Sequence, residues 1–315
     1  MQAHRNTEST KFPSQPIALD ASVTIATAAY GNAEVTGTCL ESLRLSATGD
    51  YELILIDDHS PDDGAIRRLF RAVRASRPTT RIFEFTENQE YTGSVNAALS
   101  HASGQYVLFI SNDIYVTPDY LRVLLAVARA NPRVGILRGS ANFVDNGLAT
   151  HSLSFKEPIS DLPGLFRASA ACAQQFGMQA LPDPFLVGDA FLVTRDVLDR
   201  IGTFDPLFYG YFGDPDFGLR ARVAGFETVL LQGAFAFHHQ DSNFNYLPQE
   251  RRNAKLHRRW MRVYENWARF KLKHGLPVSQ PYTTIADVPW DLLAGQPFDP
   301  ARHYVRPGDY SRFEV

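Results

Sequence analysis

The first 133 residues alternate between apolar, β-rich runs and segments with helical spacing, and this alternation constrains the fold most. The β-rich runs are SVTIATAAY, YELILIDDHS, RIFEFTEN and QYVLFIS. The helical segments are EVTGTCLESLRLSA, DDGAIRRLFRAVRAS, TGSVNAALSHAS and TPDYLRVLLAVARANP. Such alternation forms βαβ units, and wholly apolar strands are typical of sheets covered on both faces. We therefore predict an α/β fold with a mostly parallel, twisted sheet flanked by helices.

Two of the helical segments carry start signals. Thr117 is placed to cap the fourth helix, Pro118 takes its first position, and Pro132 follows its end. Asp62 or Asp63 is the expected cap of the second helix.

Polar residues follow all four predicted strands, in the sequences ATAAY, IDDHS, TENQEYTG and SNDIY. The ligand crevice of a parallel α/β sheet lies beyond the carboxyl ends of its strands, so these segments share one rim. Each alone is also typical of a turn. Asp57 and Asp58 illustrate the choice between an Asx turn before Ser60 and hydrogen bonds to a nucleotide base or ribose. Repetition at four strand ends predicts a ligand site.

Composition limits the classes of protein to which the chain can belong. With 315 residues, 44% of them hydrophobic, it can build one large domain or two smaller ones. A net charge of −3 argues against general nucleic-acid binding. Cys39 and Cys172 form no disulfide framework or CxxC zinc motif, and we expect two reduced thiols.

The hydropathy pattern predicts where the protein is found. The polar start MQAHRNTESTKFPSQP lacks the apolar core of a signal peptide. No run approaches the roughly 18–20 apolar residues needed to span a bilayer. We expect a cytoplasmic protein, soluble or at most peripheral on the inner membrane face.

The pattern loosens after residue 134. Residues 145–185 are predicted to form loop and short helix, and residues 247–274 a long helix followed by a Pro-rich tail that wraps over the surface. We predict a flexible leader (1–20), a domain with halves 21–133 and 134–245, and a C-terminal helical extension (246–315).

The segment YGYFGDPDFGLRARVAGF places two aspartates where an aromatic, glycine-rich loop meets a helix. Asp216 and Arg220 have i,i+4 spacing, which favours a structural ion pair. Asp214 would then face away from that pair, and a carboxylate beside a cleft is the expected general base for activating a hydroxyl. The alternative is that both aspartates only cap the helix. The aromatic residues of this loop, which we expect either to line a ligand site or to pack in the core, are Phe208, Tyr209, Tyr211 and Phe212.

Asn112 and Asp113 follow a buried strand at the predicted rim. Mg²⁺ and Mn²⁺ take few protein ligands beside a diphosphate, so a carboxylate there suits a metal site, with a simple turn as the alternative. His238 and His239 end the run FAFHH and point to opposite faces of a strand. A metal-binding histidine would have to meet Asp113; otherwise each is a packing or surface residue.

Taken in order, these segments resemble family 2 glycosyltransferases with the GT-A fold, in particular bacterial rhamnosyl- and galactofuranosyl-transferases. The segments that carry the resemblance are VTIATAAYGN, YELILIDDHSPD, ENQEYTGSVNAALSHASGQYVLFISNDIYVTPDYL, FLVGDAFLVTRDVLDRIGTFD, GDPDFGLRARVAGF and AFAFHH. Each is weak alone, but the combination is specific and extends from Val23 to His239.

The resemblance implies an inverting, metal-dependent transfer of a sugar from a nucleotide-diphosphate donor to a hydroxyl of a glycan or lipid-linked glycan, in bacterial surface polysaccharide synthesis. It implies that half 21–133 binds the nucleotide and half 134–245 the acceptor. It assigns Asp214 as catalytic base, and Asp113 and His238 as ligands of Mg²⁺ or Mn²⁺. The residues it places around the nucleotide are Thr27, Ala28, Tyr30, Asp58, Asn88 and Asn112.

Three positions depart from the family pattern. Ser111 stands where many members have the first acidic residue of the metal motif, Gly213 replaces the acidic residue before Asp214, and Glu90 stands where glycine is frequent. A rival hypothesis is therefore a catalytically inactive sugar- or nucleotide-binding protein on the same fold. A Rossmann dehydrogenase needs GxGxxG after the first strand and a nucleotidyltransferase a Gly-rich basic loop, whereas this chain has ATAAYGN.

The predicted C-terminal helix combines an apolar stripe with many cations. The stripe is Leu256, Trp260, Val263, Tyr264, Trp267 and Phe270. The cations are Arg251, Arg252, Lys255, Arg258, Arg259, Arg262, Arg269, Lys271 and Lys273. Three hypotheses stay open: a solvated face on a packed helix, attraction to anionic lipid near a lipid-linked acceptor, and a homodimer contact through Trp260 and Trp267.

Overall fold

The computed structural model describes residues 14–145, 147–239, 249–282 and 284–315. Most of the predicted leader falls outside these ranges. Ile17–Leu19 nevertheless form a strand that pairs in parallel with Ala47–Gly49. Regular structure therefore begins before residue 21, earlier than expected.

Strands and helices alternate through the first half, as predicted. They are, in chain order, β1 (Ile17–Leu19), β2 (Val23–Ala29), α1 (Ala33–Ser46), β3 (Ala47–Gly49), β4 (Glu52–Asp57), α2 (Ala65–Ser76), β5 (Arg81–Glu84), α3 (Glu90–His101), β6 (Tyr106–Ser111), β7 (Ile114–Tyr115) and α4 (Pro118–Ala130). Thr117 caps α4 by accepting from Tyr120 N at 3.1 Å. Asp62, one of the two expected caps of α2, accepts from Ala65 N and Ile66 N.

The second half adds the elements that complete the sheet and cover it. They are β8 (Val134–Ala141), α5 (Leu162–Phe176), β9 (Ala180–Pro182), β10 (Ala190–Thr194), α6 (Arg195–Ile201), α7 (Gly213–Val223), β11 (Glu227–His238), α8 (Gln249–His274), α9 (Trp290–Ala294) and α10 (Pro300–His303). The expectation of loop and short helix for residues 145–185 understated α5, which has 15 residues. Its buried stripe contains the small residues Ser169 and Cys172, which weaken the apolar signal.

In the described part of the chain, nine strands form one sheet in the order β5-β4-β2-β6-β10-β8-β11-β7, with β9 beside β11. The pairs β5-β4, β4-β2, β2-β6 and β8-β11 are parallel. Strand β10 runs antiparallel between β6 and β8. The parallel arrangement predicted from the first half therefore holds there, and the later strands make the sheet mixed.

Helices cover the sheet on both faces. One apolar cluster contains buried residues of α1, α2, α4 and α5, such as Cys39, Phe70 and Leu124. The other contains residues of α3, α6 and α7, such as Val95 and Phe217. Both cysteines are buried free thiols, as expected. Covering both faces leaves the strand ends as the accessible polar edge.

Helix α8 packs on the outer side of α7 and on the loop that precedes α7 in the chain. Trp267 and Phe270 are buried against Phe208 and Phe212. Since Trp267 is only 4% exposed, it cannot form the hypothesised dimer stripe with Trp260. The large apolar side chains that α8 exposes between residues 256 and 264 are Leu256, Trp260, Met261 and Tyr264.

Most described cations of α8 have partners within the chain. The contacts are Arg259 with Asp145, Arg262 with Glu90, Arg269 with Leu207 O, Lys271 with Val278 O, and Lys273 with Asp205 and Asp216. The side chains of Arg251, Arg252 and Lys255 lie outside the described residues. Among the side chains that the structure describes, the predicted basic face is therefore largely used for internal contacts.

A buried charge cluster ties α8 to α7. Asp216 Oδ2 accepts from Arg220 Nε at 2.7 Å, which confirms the predicted ion pair. Asp216 Oδ1 lies 2.6 Å from Lys273 Nζ and 2.9 Å from His274 Nε2. Burial alone would raise the pKa of Asp216, but Arg220, Lys273 and His274 hold that pKa well below its usual range.

The tail returns to the edge of the sheet, which confirms that it wraps over the surface. Val315 N donates to Ile82 O at 3.0 Å, and Arg81 pairs with Glu314. Within the described ranges, none of the helices has both the length and the apolar character required to cross a membrane.

Candidate active site at the carboxyl ends of the strands

Strand register brings the predicted polar segments together. Ala28 of β2 lies opposite Ser111 of β6, and Ala29 lies opposite Asp57 of β4. Asp58 N donates to Ala29 O at 2.9 Å, which continues this row beyond the strands. The ends of β2, β4, β5 and β6 thus form one rim, as the parallel order predicts.

The two aspartates after β4 differ in their surroundings. Asp57 accepts from Ser60 N at 2.9 Å and from Arg67 Nε at 3.0 Å, so it forms the Asx turn that was one of the alternatives. Asp58 accepts from Gln89 N at 2.6 Å. Burial raises the pKa of Asp58 to about 7, although that hydrogen bond acts in the opposite direction.

The other residues assigned to the nucleotide occupy three kinds of environment. Tyr30 is exposed and Ala28 is partly buried at the rim. Asn88 is partly buried, and its Oδ1 accepts from Glu90 N at 2.9 Å. Thr27 is completely buried within β2.

Asn112 is also a buried residue. Its Nδ2 donates to Thr36 Oγ1 on α1 at 2.8 Å, and the residue is 5% exposed. The amide therefore joins β6 to α1. The assignment of Asn112 and Thr27 to the nucleotide stays a prediction, and both side chains are buried.

Asp113 and His238 face each other, as a shared metal site would require. His238 Nε2 lies 3.6 Å from Asp113 Oδ2, and its Nδ1 lies 3.2 Å from Phe143 O. His239 diverges, since its ring stacks on Tyr115. Burial would lower the pKa of His238, but Asp113 and Asp189 outweigh it and raise that pKa to about 9.

The donor set suits a small divalent cation bound together with phosphate. Two ligands at about 2.1 Å from one cation lie about 3 Å apart in an octahedron, close to the 3.6 Å separation of the Asp113 and His238 atoms. Among the described residues, no group of three or more His, Cys, Asp or Glu could hold a metal ion. Further ligands would have to come from a diphosphate or water.

Asp214 lies at the start of α7, beside the α8 contact. Its Oδ2 accepts from Gly188 N at 2.9 Å. Burial raises the pKa of Asp214 to about 7, and the charge of Asp189 adds to this, while the bond from Gly188 opposes it. A carboxyl group that is deprotonated near neutral pH, yet basic enough to accept a proton, is suited to general-base chemistry.

Asp214 lines a pocket of about 210 Å³ between α8 and the segments that precede β10 and α7. Other residues that line it are Tyr91, Asp189, Tyr211, Arg259 and Tyr282. Of the four aromatic residues expected at a ligand site or in the core, Phe208 is a core residue and Tyr209 is exposed. Tyr211 lines the pocket, and so does Phe212, although Phe212 is also buried in the core. A wider groove of about 980 Å³ is lined by Tyr115, His239 and the first turns of α1. Two of these lining residues, Tyr115 and His239, are close neighbours of Asp113 and His238 in the sequence.

Arg138 and Asp189 belong to this region and were not found from the sequence. Arg138 Nη2 donates to Asp189 Oδ1 at 2.9 Å, and Arg138 is 2% exposed. Asp189 Oδ2 lies 3.9 Å from His238 Nδ1, so one carboxylate joins the His238 and Asp214 neighbourhoods. The available signal was an arginine inside the apolar run VGILRGSA, since a cation within a buried strand needs a partner.

Comparison with known proteins identifies the family. The sequence model named Glycosyl transferase family 2 matches residues 24–202, more than half of the 315-residue chain. The chain belongs to glycosyl transferase family 2. The matched part of the chain includes β2 to β6 and ends before Asp214, so the α7 and His238 assignments lie beyond it.

The curated relatives of the chain are distant. An uncharacterized protein of Sinorhizobium fredii is 22% identical over 70% of the chain, which spans only 24% of that relative. A putative glycosyltransferase of Bacillus subtilis is 28% identical over 40% of the chain and 36% of its own length. An N-acetylglucosaminyl-diphospho-decaprenol L-rhamnosyltransferase of Mycobacterium tuberculosis is 24% identical over 64% of the chain and 70% of its own length.

Solved structures agree on the GT-A fold. A mannosyltransferase from Pyrobaculum calidifontis in complex with GDP-Man and Mn²⁺ has a TM-score of 0.52 at 18% identity, covering 82% of this chain and 64% of that one. GalNAc-T7 with UDP, GalNAc and Mn²⁺ has a TM-score of 0.54 at 12% identity, covering 69% and 43%. The α/β sheet with helices on both faces is thus a GT-A glycosyltransferase fold.

Proposed function

We propose that the chain is an inverting, metal-dependent glycosyltransferase. It would move a sugar from a nucleotide-diphosphate donor to a hydroxyl of a glycan or lipid-linked glycan. The observation that carries this proposal is the joint placement of the Asp113–His238 pair and Asp214 around Asp189 at one end of the sheet. The assignment to bacterial surface polysaccharide synthesis is part of the proposal, and similarity to a bacterial rhamnosyltransferase with a lipid-linked acceptor supports it.

The nucleotide would lie along the rim formed by half 21–133, and the acceptor against half 134–245. Asp58 and Asn88 lie where β4 and β5 end, which suits contacts to base and ribose. Asp113 and His238 would hold Mg²⁺ or Mn²⁺ on the donor diphosphate. When bound, such a cation neutralises the charge that develops on the leaving diphosphate.

Asp214 would act on the acceptor in the adjoining pocket. Its carboxylate takes the proton of the acceptor hydroxyl while that oxygen bonds to the anomeric carbon and the bond from this carbon to the diphosphate oxygen breaks. Attack opposite the leaving group gives inversion. Tyr211 and Tyr282 line the same pocket, and we expect their rings to contact a bound sugar.

A direct test incubates the protein with Mn²⁺ and GDP-mannose, UDP-N-acetylglucosamine, UDP-galactose or dTDP-L-rhamnose. Thermal shift reports binding, because a ligand of the folded state raises its apparent stability. Release of nucleoside diphosphate reports donor cleavage, and the anomeric configuration of the product reports inversion. Absence of both binding and cleavage across the panel would reject the proposal.

A second candidate is a catalytically inactive binding protein on the same fold. Ser111 and Gly213 favour it, because each removes a carboxylate that many family members carry. The same assay separates the two: stabilisation by a nucleotide sugar without any donor cleavage or transfer supports the inactive protein.

A further inference from the structure

Glu90 has a backbone conformation that favours glycine. It is the first residue of α3, and its φ is 53°. A side chain in this left-handed region is strained, and such strain persists only where the surroundings hold it in place. The residue therefore calls for a contact that glycine could not make.

That contact comes from the C-terminal helix. Arg262 of α8 donates to Glu90 Oε1, and its guanidinium carbon lies 5.0 Å from the centroid of the Tyr209 ring. Gly210 leaves room for the pair, since a Cβ there would lie 2.7 Å from Glu90 Oε2. Arg262 is thus held by both an ion pair and an aromatic face.

Two side chains assigned to the nucleotide accept hydrogen bonds from the backbone at Gln89 and Glu90. Glu90 N donates to Asn88 Oδ1 at 2.9 Å, and Gln89 N donates to Asp58 Oδ1 at 2.6 Å. A displacement of Glu90 would therefore disturb Asn88 and Asp58 together.

Helix α8 reaches Asn88 by a second route. Asn266 Nδ2 donates to Tyr209 O at 3.1 Å and to Tyr211 O at 2.8 Å. The Tyr209 hydroxyl in turn donates to Asn88 O at 3.5 Å. Both routes start on α8, which lies outside the family match of residues 24–202.

We propose that Glu90 and Arg262 are positioning residues for the donor nucleotide. Their ion pair fixes segment 88–90 at the rim, so that α8 sets the affinity of the site for the nucleoside diphosphate. The inference rests on the proposed function, because it takes Asp58 and Asn88 as nucleotide contacts.

The test is a double-mutant cycle on the full chain. Binding of GDP and UDP in the presence of Mn²⁺ is measured by calorimetry for wild type, Glu90→Gln, Arg262→Gln and the double variant. Each single change is expected to weaken the tighter-binding nucleotide about three- to fivefold, the range for a partly exposed ion pair. The double variant should match the singles, because one interaction is lost in all three. Unchanged affinity, or single effects that multiply, would overturn the proposal.

The Glu90→Gly variant separates positioning from stability. Glycine relaxes the left-handed backbone, so its melting temperature should equal or exceed that of Glu90→Gln, while nucleotide binding should be weaker than in Glu90→Gln. A variant that binds as tightly as wild type contradicts the proposal.

A matched control pair is Arg222→Gln and Asp291→Asn, which break an ion pair of 2.6 Å between α7 and α9. These changes should leave nucleotide affinity unchanged. If the wild-type protein binds neither GDP nor UDP, the proposed function fails as well. If it binds one of them and the cycle shows no coupling, only this inference fails.

Discussion

At the scale of single residues, the pKa of Asp214 determines when this residue can act as a base, and burial raises that pKa to about 7. A general base must be deprotonated, so kcat/KM for sugar transfer should fall about tenfold per pH unit below pH 7. The measurement is a pH–rate profile with saturating Mn²⁺ at constant ionic strength. A profile that stays flat between pH 5 and 8 would exclude Asp214 as the base.

The raised pKa of Asp214 also makes the stability of the folded protein depend on pH. Because the pKa of Asp214 is raised above its usual value, the folded protein holds a proton between about pH 4 and 7 that the unfolded chain releases. The contribution of Asp214 to stability therefore declines as pH rises through this window.

A substitution of Asp189 tests whether the pH dependence of the transfer rate comes from Asp214. Its negative charge adds to the burial effect that raises the pKa of Asp214. Asp189→Asn can still accept from Arg138, so we expect a folded protein whose rate profile is shifted to lower pH. The comparison is the acid limb of wild type against that of the variant; an identical limb would show that Asp189 does not influence the base.

Asp113 and His238 are the proposed metal ligands. Asp113→Ala should remove the Mn²⁺-dependent part of donor affinity, because the remaining imidazole cannot hold the cation on its own. Calorimetry with GDP or UDP, with and without Mn²⁺, measures this part directly. An equal gain on adding Mn²⁺ in wild type and variant would remove Asp113 from the metal site.

At the scale of elements, α7 and α8 depend on the cluster around Asp216. Asp216→Asn leaves Arg220 buried without its carboxylate, while Lys273 keeps only Asp205 among its described carboxylate partners. We expect a loss of about 3–5 kcal/mol of unfolding free energy. Urea unfolding at pH 7 measures it. Asp291→Asn removes an ion pair whose carboxylate is 93% exposed and should barely move the midpoint. Similar midpoints for the two variants would contradict the account.

The cluster around Asp216 also determines how the stability of the folded protein changes with pH. The pKa of Asp216 is depressed, so its stabilisation is fully present above the usual carboxyl pKa and is lost as pH falls towards the lower folded value. Wild type should therefore lose more stability on acidification than Asp216→Asn does.

Elements with local signals could be predicted from the sequence. The βα order of the first half, the Thr117 cap and the Asp216–Arg220 pair all depend on residues close in the chain, and all are present. The antiparallel insertion of β10 depends on pairing between distant strands, which periodicity does not encode. Helix α5 was understated because small residues form much of its buried stripe.

The residues of the candidate site also fall into those that the sequence could predict and those that it could not. Asp113, His238 and Asp214 follow strand ends or helix starts with recognisable order, and the fold brings them near Asp189. The orientations of Thr27 and Asn112 depend on packing under α1, and the Arg138–Asp189 pair joins β8 to the start of β10. Such contacts require tertiary structure, so sequence order could not reveal them.

At the scale of the whole molecule, the C-terminal extension both braces the catalytic domain and leaves one apolar stripe outside. We propose that Leu256, Trp260 and Tyr264 of this stripe contact the membrane surface that carries a lipid-linked acceptor, since Trp and Tyr favour that interface. Because most described cations of α8 have internal partners, binding should depend on the aromatic residues more than on salt.

Liposome flotation tests this proposal. We expect co-flotation at low salt that Trp260→Ala with Tyr264→Ala abolishes and 0.5 M salt only weakens. Absence of co-flotation at low salt would reject membrane contact. A mass of two chains in light scattering, lost in the same variant, would instead assign the stripe to a homodimer.

The central claim is that Asp214 is the base of a sugar transfer on this GT-A fold. The most direct test compares wild type and Asp214→Asn in donor binding and in transfer from the same nucleotide sugar with Mn²⁺. We expect unchanged donor affinity and a fall in transfer rate of about 10²–10⁴-fold, the usual contribution of a positioned base. A variant that transfers sugar at a near-normal rate would contradict the account.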